Sequence, residues 1–407
     1  MLRRLYKDPS TLMNLGEGTL KGLVSSPPRE VDEPTYDVIG NIERFDGRDQ
    51  IYNRQLLRPG SDGYRDYYSR HPERKEGDEK RRQHAVEIGK RLQEDDPVNH
   101  YLSLSGFYAA VALSRPDVVE AQNIRMRISP IDMIEGKKIQ IDPEEVSHKI
   151  KAFGLHIGAA KVRIAKLNQN WVYSHYTLPQ YGKPVVLDYK YIICLAFYQD
   201  PFMIAGGANP GVDLEVGFKY GYASFVSTLM ANFIRRLGWP ARPLPTFNAP
   251  YLIPPVFIDA GIGEDGRCGY VVTKEFGNNF RPGAVATDLP LIPDKPVDFG
   301  LQDFCDKCKI CAEECPAGAI PKGGRDVVRG VRKWVMDTEK CFNYWIAKGS
   351  TCGVCQSVCP WNLPNNWFHN SFRELSSQFP SLRSLLITTK RIYSGKNKPK
   401  PEPKWMR

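Results

Sequence analysis

The apolar positions of this chain change rhythm near residue 140. Before that point, residues 1–60 show little periodicity and many turn formers, Pro27-Pro28 among them, and predict a meandering arm. Residues 76–94 are densely charged and predict one exposed helix with a solvated face. Residues 97–127 mix apolar, small and aromatic side chains suited to a packed helical layer. Beyond residue 140, Pro143-Glu144-Glu145-Val146 opens a helix with Asp142 as its N-cap, running to about Phe153. Ala159 to Ala165 predicts a strand, and Tyr191 to Phe197 a second, buried one. Residues 213–237 predict a long helix, capped by Asp213 and closed by Gly238. Leu252 to Ile258 and Tyr270 to Thr273 read as short strands. Strands interleaved with helices indicate an α/β or α+β domain, and no repeat period is visible.

Length and charge narrow the picture. At 407 residues and 42% hydrophobic content the chain can bury one large or two smaller cores. No stretch approaches the roughly 18 apolar residues of a spanning helix. The net charge is 56 − 46 = +10, and residues 391–407 carry +5 of it among prolines. That end reads as a solvated, poorly ordered tail rather than a nucleic-acid or membrane contact. The start, Met1 to Asp8, has two arginines and no apolar run behind them, so it is not a working signal peptide. Either the protein stays inside the cell or a leader has been removed.

The cysteines carry the chemistry. Cys305-x2-Cys308-x2-Cys311-x3-Cys315-Pro316 is the bacterial ferredoxin run for a [4Fe–4S] cluster. Cys341-x10-Cys352-x2-Cys355-x3-Cys359-Pro360 ends the same way after a longer insert. Two cubanes are the natural count, and the last cysteine of each ferredoxin run ligates the other cluster. Cluster one then takes Cys305, Cys308, Cys311 and Cys359, and cluster two takes Cys341, Cys352, Cys355 and Cys315. Zinc sites pair two C-x2-C knuckles instead, and cysteines two residues apart are poor disulfide partners. Two adjacent clusters form an electron wire. Of the other two cysteines, Cys194 lies in an apolar strand and reads as a core residue. Cys268 lies in the loop Ala260-Gly261-Ile262-Gly263-Glu264-Asp265-Gly266-Arg267-Cys268-Gly269-Tyr270. That loop fits G-x-G-x2-G but leads into a strand, not a helix, so it is no dinucleotide fingerprint. A hairpin that needs positive φ is its simplest reading.

With Gly221-Tyr222, Asn232 to Gly238, the Asn248 segment, the glycine loop, Thr287 to Leu291, Asp294 to Gly300 and the two cysteine runs, in that order, the chain resembles the corrinoid- and iron–sulfur-dependent reductive dehalogenases of organohalide-respiring bacteria. The resemblance covers about residues 35–370. It implies an α+β fold: an N-terminal arm and helical segment over the active site (1–139), a nitroreductase-like corrinoid-binding core (140–299), a ferredoxin-like two-[4Fe–4S] domain (300–370), and a C-terminal helix with a basic tail (371–407). It implies a cobalamin-type corrinoid with no protein ligand to cobalt, and no D-x-H-x2-G corrinoid motif occurs here. The implied proton donor is Tyr222, backed by Asn248 and Arg281. Tyr220 is the nearby competitor, and Tyr222 is preferred because it follows Gly221 and stands 26 residues before Asn248. Gly261, Gly263, Gly266, Gly269 and Cys268 are the expected corrinoid contacts, and Phe45, Tyr52 and Trp345 the expected substrate-pocket residues.

The resemblance implies replacement of carbon–halogen by carbon–hydrogen on small chlorinated aliphatics during organohalide respiration. Its partners would be a small membrane-anchor protein and an upstream electron donor, with no nucleic acid; a homodimer is compatible with it. The expected location is the outer face of the cytoplasmic membrane, held peripherally after removal of a twin-arginine leader, or the cytoplasm if no leader existed. Two rivals stand beside this reading: an epoxyqueuosine reductase-like enzyme acting on tRNA, and a non-catalytic two-cluster electron carrier. The length of chain before the clusters argues against a mere carrier.

Overall fold

A computed structural model describes residues 26–113, 138–178, 180–244, 249–363, 366–394, 400 and 403–406. At its centre is an antiparallel sheet of β1 (Lys161–Lys166), β2 (Tyr191–Tyr198), β3 (Ala241–Leu244) and β4 (Phe280–Thr287), in the order β1-β2-β4-β3. Leu195 faces Gly283 across β2 and β4, and Phe197 faces Arg281. Both faces of β2 are covered, which explains its unbroken apolar run. Ile193, Leu195, Phe197 and Val285 meet the helices on one face. Ile192, Cys194, Ala196, Ala284 and Ala286 fill the other.

The helices on the first face are α3 (Pro143–His156) and α4 (Pro210–Arg236), for which α1 (Lys75–Asp95) and α2 (Pro97–Leu113) form an outer layer. Asp142 caps α3 by accepting from the Glu144 N–H, as its sequence predicts. The cap of α4 is Asn209, not Asp213; the helix starts one turn earlier because Pro210 suits its first position. α1 is not merely a solvated helix. Asp78 is 1% exposed and binds Arg54 at 3.0 Å and Arg81 at 2.7 Å, and Arg81 reaches Glu339 at 2.6 Å. Residues 114–127 of the expected helical layer lie outside the described residues.

On the second face, Leu252 to Ile258 is a helix, α5 (Ile253–Asp259), where a strand was expected. Pro254 and Pro255 fall in its first turn, where no backbone N–H is needed. β4 went unpredicted because Pro282 and Gly283 interrupt its strand signal. Cys194 is fully buried, as its apolar strand implies.

The cysteine-bearing segment docks beside the sheet. It contains α6 (Leu301–Cys308) and α7 (Thr338–Lys348), with a core of Phe299, Phe304, Val354, Val358 and Trp361. The arm straps both parts: Arg29–Glu30 pairs with Val297–Asp298, and Asp37–Val38 with Val331 and Arg332. The basic C-terminal end also packs back. Lys400 N–H donates to Ala205 at 3.0 Å, and Met406 is buried, so the solvated-tail expectation fails for these residues. Among the described residues, no helix is long and apolar enough to cross a membrane.

Candidate functional site: two cysteine quartets and an aromatic cleft

Local backbone geometry presents the first run of cysteines. α6 carries Cys305 and Cys308, then Lys309 turns left-handed at φ +54° and restarts a short helix bearing Cys311. α7 carries Cys341, and the turn Val354–Ser357 carries Cys355. Cys305, Cys308, Cys311 and Cys359 line one cavity, which Cys268 and Cys355 also reach. Cys315, Cys341, Cys352 and Cys355 are electrostatic neighbours of one another. Cysteines of both runs thus meet around one cavity, and among the described residues no three of them are drawn together closely enough to hold a metal ion. Burial pushes the Cys308 thiol up to about 11. Burial and the neighbouring Cys352 and Cys315 push Cys341 up to about 12. Crowded buried thiolates are costly unless cations lie among them. This donor set fits iron–sulfur clusters, and the Ala319 N–H already donates to the Cys315 sulfur at 3.3 Å.

The glycine loop is built for packing the chain on itself. A Cβ on Gly261, at φ +72°, would lie 2.2 Å from the Lys295 carbonyl, and one on Gly263 2.1 Å from that of Val272. A side chain on Gly266 would meet Val272 and Tyr270, and Gly269 closes the turn at φ +73°. At Gly261, Gly263 and Gly266 the space a Cβ would need is filled by the chain itself, whereas Gly269 has only Met336 within 4 Å, at 3.9 Å. The hairpin reading holds, with Glu264–Asp265 pairing with Val271–Val272. Arg267, 2% exposed, fastens the loop to the cluster segment. It donates to the carbonyls of Cys305, Pro321 and Gly323 at 2.9, 2.8 and 2.7 Å. Cys268 turns toward the cysteine quartets.

A second feature lies beside Cys341 and Cys355. The Tyr52 ring stands 5.0 Å from Phe342 and 5.5 Å from Trp345. Tyr52 is hemmed in by protein yet 39% exposed, the mark of an internal cleft. Its hydroxyl is raised well above the usual phenol range, by burial first and then by Cys341 and Tyr220, while Arg281 opposes the shift. The same groups act on Tyr270, whose hydroxyl is raised by burial, Cys355 and Tyr52. Tyr52, Tyr220, Tyr270, Arg281, Cys341 and Cys355 thus share one neighbourhood. The Arg281 guanidinium lies 5.4 Å over the Tyr220 ring. Arg281 is 8% exposed, and its Nε has no hydrogen-bond acceptor among the described residues. Glu215 supplies a nearby buried carboxylate, accepting from the Asp200 N–H at 2.7 Å. Burial raises it, and Lys219 and Arg281 hold it down. Aromatic walls with an unspent buried donor beside them suit a small apolar substrate.

The expected residues divide. Tyr52, Trp345 and Arg281 come together. Tyr222 does not join them. Its hydroxyl donates to the Ile157 carbonyl at 2.9 Å, and its ring packs on Phe197 and Phe218 in the core of the first sheet face. Positions two apart on a helix point about 200° apart, so only Tyr220 meets Arg281. Phe45 lies on the other sheet face, 5.3 Å from Tyr173 and beneath Arg329, away from the cleft. Asn248 lies outside the described residues. Sequence reasoning missed Tyr270, Glu215 and Arg267. Arg267 was the most accessible of these, as a lone cation between glycines.

Comparison with known proteins gives the class first. A family model for a 4Fe-4S dicluster domain matches residues 304–363. Together with the sheet and its helices, this defines an α+β protein with an iron–sulfur segment beside a ligand cleft. Over 282 residues the chain is 32% identical to the tetrachloroethene reductive dehalogenase of Sulfurospirillum multivorans, covering 60% of this chain and 56% of that protein. The solved structure of the catabolic reductive dehalogenase NpRdhA matches with a TM-score of 0.72 at 25% identity, covering 94% of this chain and 50% of that one. Epoxyqueuosine reductase of Shigella dysenteriae is 24% identical over 276 residues, 54% of this chain and 66% of that protein. In sequence and in fold the chain is similar to these reductive dehalogenases. It spans about half the length of the dehalogenases it matches.

Proposed function

We propose that the protein reduces a carbon–halogen bond to carbon–hydrogen, taking up two electrons and one proton and releasing halide. The observation that carries this is Arg281 over Tyr220 at the edge of a cleft walled by Tyr52, Tyr270 and Trp345, beside cluster two. Carbon–halogen cleavage itself is the cobalt chemistry of a bound corrinoid. The chain's residues do the rest. Two [4Fe–4S] clusters, held by the two quartets, pass electrons singly from an upstream donor. Tyr220 donates the proton from its hydroxyl. A phenol near pKa 10 is a reluctant acid, and the Arg281 cation stabilises the phenolate left behind. The aromatic walls desolvate an apolar organohalide.

The cleft's aromatic walls suit flat or small apolar halides. The related proteins are named for tetrachloroethene and, in one complex, bind 3-bromo-4-hydroxybenzoic acid. Small chlorinated aliphatics remain the substrate class proposed for this chain. A membrane-anchor partner and a location outside the cytoplasmic membrane belong to the same proposal.

The test is metal content and halide release after anaerobic reconstitution with corrinoid. About eight irons per chain, one cobalt and chloride release from tetrachloroethene are expected. Full iron without cobalt, under conditions that load another corrinoid enzyme, would overturn the reading in favour of an electron carrier. Turnover of epoxyqueuosine tRNA without halide release would overturn it in favour of the tRNA enzyme.

A further inference from the structure

The two cysteine runs stand differently toward the cleft. Cys341 sits on α7 with Phe342 and Trp345, the rings that pack on Tyr52. Cys305 and Cys308 sit on α6, under another element. In the proposed function, electrons reach the cleft by way of the second run and enter at the first. The surface over the first run is therefore where a donor has to stand.

Helix α8 (Arg383–Ser394) lies on α6 at that surface. Its Ile387 is 4% exposed and packs in the core that holds Phe304 and Cys308. Leu385 and Ile392, seven positions apart, share the side away from Ile387. They are 63% and 79% exposed. Arg391, beside Ile392, reaches inward and donates to the Cys308 carbonyl at 2.6 Å. One side of α8 thus touches a cysteine of the first run while the other presents bare apolar side chains.

The surroundings are basic. Lys309 follows Cys308 and lines the cavity beneath it. Lys322 is exposed between Pro321 and Gly323, whose carbonyls Arg267 binds together with that of Cys305. Glu313 pairs with Arg391, and Glu313 and Glu314 face Arg391, Lys322 and Lys309. Asp303 is shared by Lys307 and Arg383, at 2.6 Å each. Asp306 faces Arg267 and Arg325 at 3.6 and 4.0 Å. In each of these groups cations outnumber carboxylates, so positive charge is left over around the first run.

We propose that this face, apolar at Leu385 and Ile392 and basic around Lys307, Lys309 and Lys322, docks the electron donor, and that the donor is a small acidic one-electron carrier protein of the flavodoxin or ferredoxin class. The reduced carrier gives one electron to the cluster of the first run and leaves oxidised by one electron; two such encounters supply one turnover. Encounters of this kind bury little area and depend on complementary charge for their speed. An anionic lipid surface would meet the same charges but brings no electron to Cys308. The inference rests on the electron-carrying part of the proposed function and not on dehalogenation.

The experiment is stopped-flow mixing of a fully reduced acidic flavodoxin with the full chain, reconstituted anaerobically with iron and sulfide and without corrinoid or substrate. Flavin oxidation is followed by absorbance. The rate should fall by on the order of tenfold or more between low salt and about 1 M salt. Lys307→Glu/Lys322→Glu should slow it by on the order of tenfold at low salt. Its iron content and its reduction by photoreduced deazaflavin, a small neutral reductant, stay as in wild type. Arg65→Glu/Lys149→Glu makes the same change of net charge at exposed positions elsewhere and keeps the wild-type rate. Ile392→Glu slows the carrier too, and serves where Lys322→Glu disturbs iron loading. A salt-independent rate, an unchanged rate in the Lys307/Lys322 variant, or equal slowing in the Arg65/Lys149 variant would overturn the proposal. Release of the Lys307/Lys322 variant from phosphatidylglycerol vesicles that hold the wild type, with flavodoxin oxidation unchanged, would give the face to a membrane instead. Failure of the cluster reading shows separately, as a wild-type chain that deazaflavin does not reduce.

Discussion

The Asp213 carboxylate accepts both the backbone N–H and the hydroxyl of Thr351, at 2.8 and 2.7 Å. This single buried acid ties the first turns of α4 to the residue before Cys352, and so couples the sheet domain to cluster two. Burial raises Asp213, and the Thr351 bonds oppose the shift. In Asp213→Ala the Thr351 N–H loses its acceptor, at a cost of about 1–3 kcal/mol. The cluster of Cys315, Cys341, Cys352 and Cys355 should then be lost first under mild chelation. Iron content and EPR signals followed over time check this, and simultaneous loss of both clusters would refute it.

Tyr220→Phe removes the hydroxyl beneath Arg281 and leaves the ring. Turnover should fall about 10²–10⁴-fold, the usual range for a general acid, with cofactor content unchanged. Tyr222→Phe loses one hydrogen bond to Ile157, about 1 kcal/mol of stability, and keeps its turnover. Halide-release rates of the two variants decide between the tyrosines, and the opposite ranking would give the acid role to Tyr222.

α2 and α4 approach through glycines. A Cβ on Gly217 would lie 2.6 Å from the Gly106 carbonyl carbon. Gly217→Ala should therefore destabilise the protein by about 1–3 kcal/mol. Gly89 in α1 has open space around its Cβ position. Gly89→Ala should stabilise by up to about 1 kcal/mol through helix propensity. Thermal unfolding of the two variants under identical loading checks both signs.

Glu264 is fully buried, and its Oε1 accepts the Phe299 and Leu301 N–H groups at 2.7 and 3.2 Å. Burial pushes it up to about 7 from 4.5. The folded state thus binds this proton more tightly than the unfolded chain. Its contribution to stability is full below about 4.5 and declines as pH rises to about 7. Glu264→Gln should flatten that decline, as read from unfolding midpoints across the window. Asp265, also raised to about 7 by burial, adds slope of the same sign.

The legible parts of the sequence were those where one local rule sufficed. Asp142 before Pro143 marked the start of α3, and the unbroken apolar run of β2 marked a strand covered on both faces. The cysteine spacing marked the iron–sulfur segment, matched by the 4Fe-4S dicluster model over residues 304–363, because ligand geometry is set within a few residues of chain. The illegible parts depended on distant partners. α5 looked like a strand because its apolar run is short, although Pro254-Pro255 fits a first helical turn. Whether Tyr220 or Tyr222 meets Arg281 depends on the register in which α4 lies on the sheet, which puts Tyr222 on Phe197 and Tyr220 under Arg281. No spacing along α4 contains that register. The glycine loop resembled a ligand cradle because close approach to a ligand and close approach to the chain's own carbonyls require the same residue.

Arg267 and Cys268 also bear on how the cluster segment is enclosed. The run from Cys305 to Cys359 has every thiolate of a small ferredoxin, yet one wall of its cavity is lent by a hairpin some forty residues upstream. Excised at residue 300, the segment would keep its ligands and lose that shield, leaving the inorganic core open to oxygen. In the intact chain, Arg267 and its carbonyl acceptors on Cys305, Pro321 and Gly323 hold that wall in place around whatever the cavity receives.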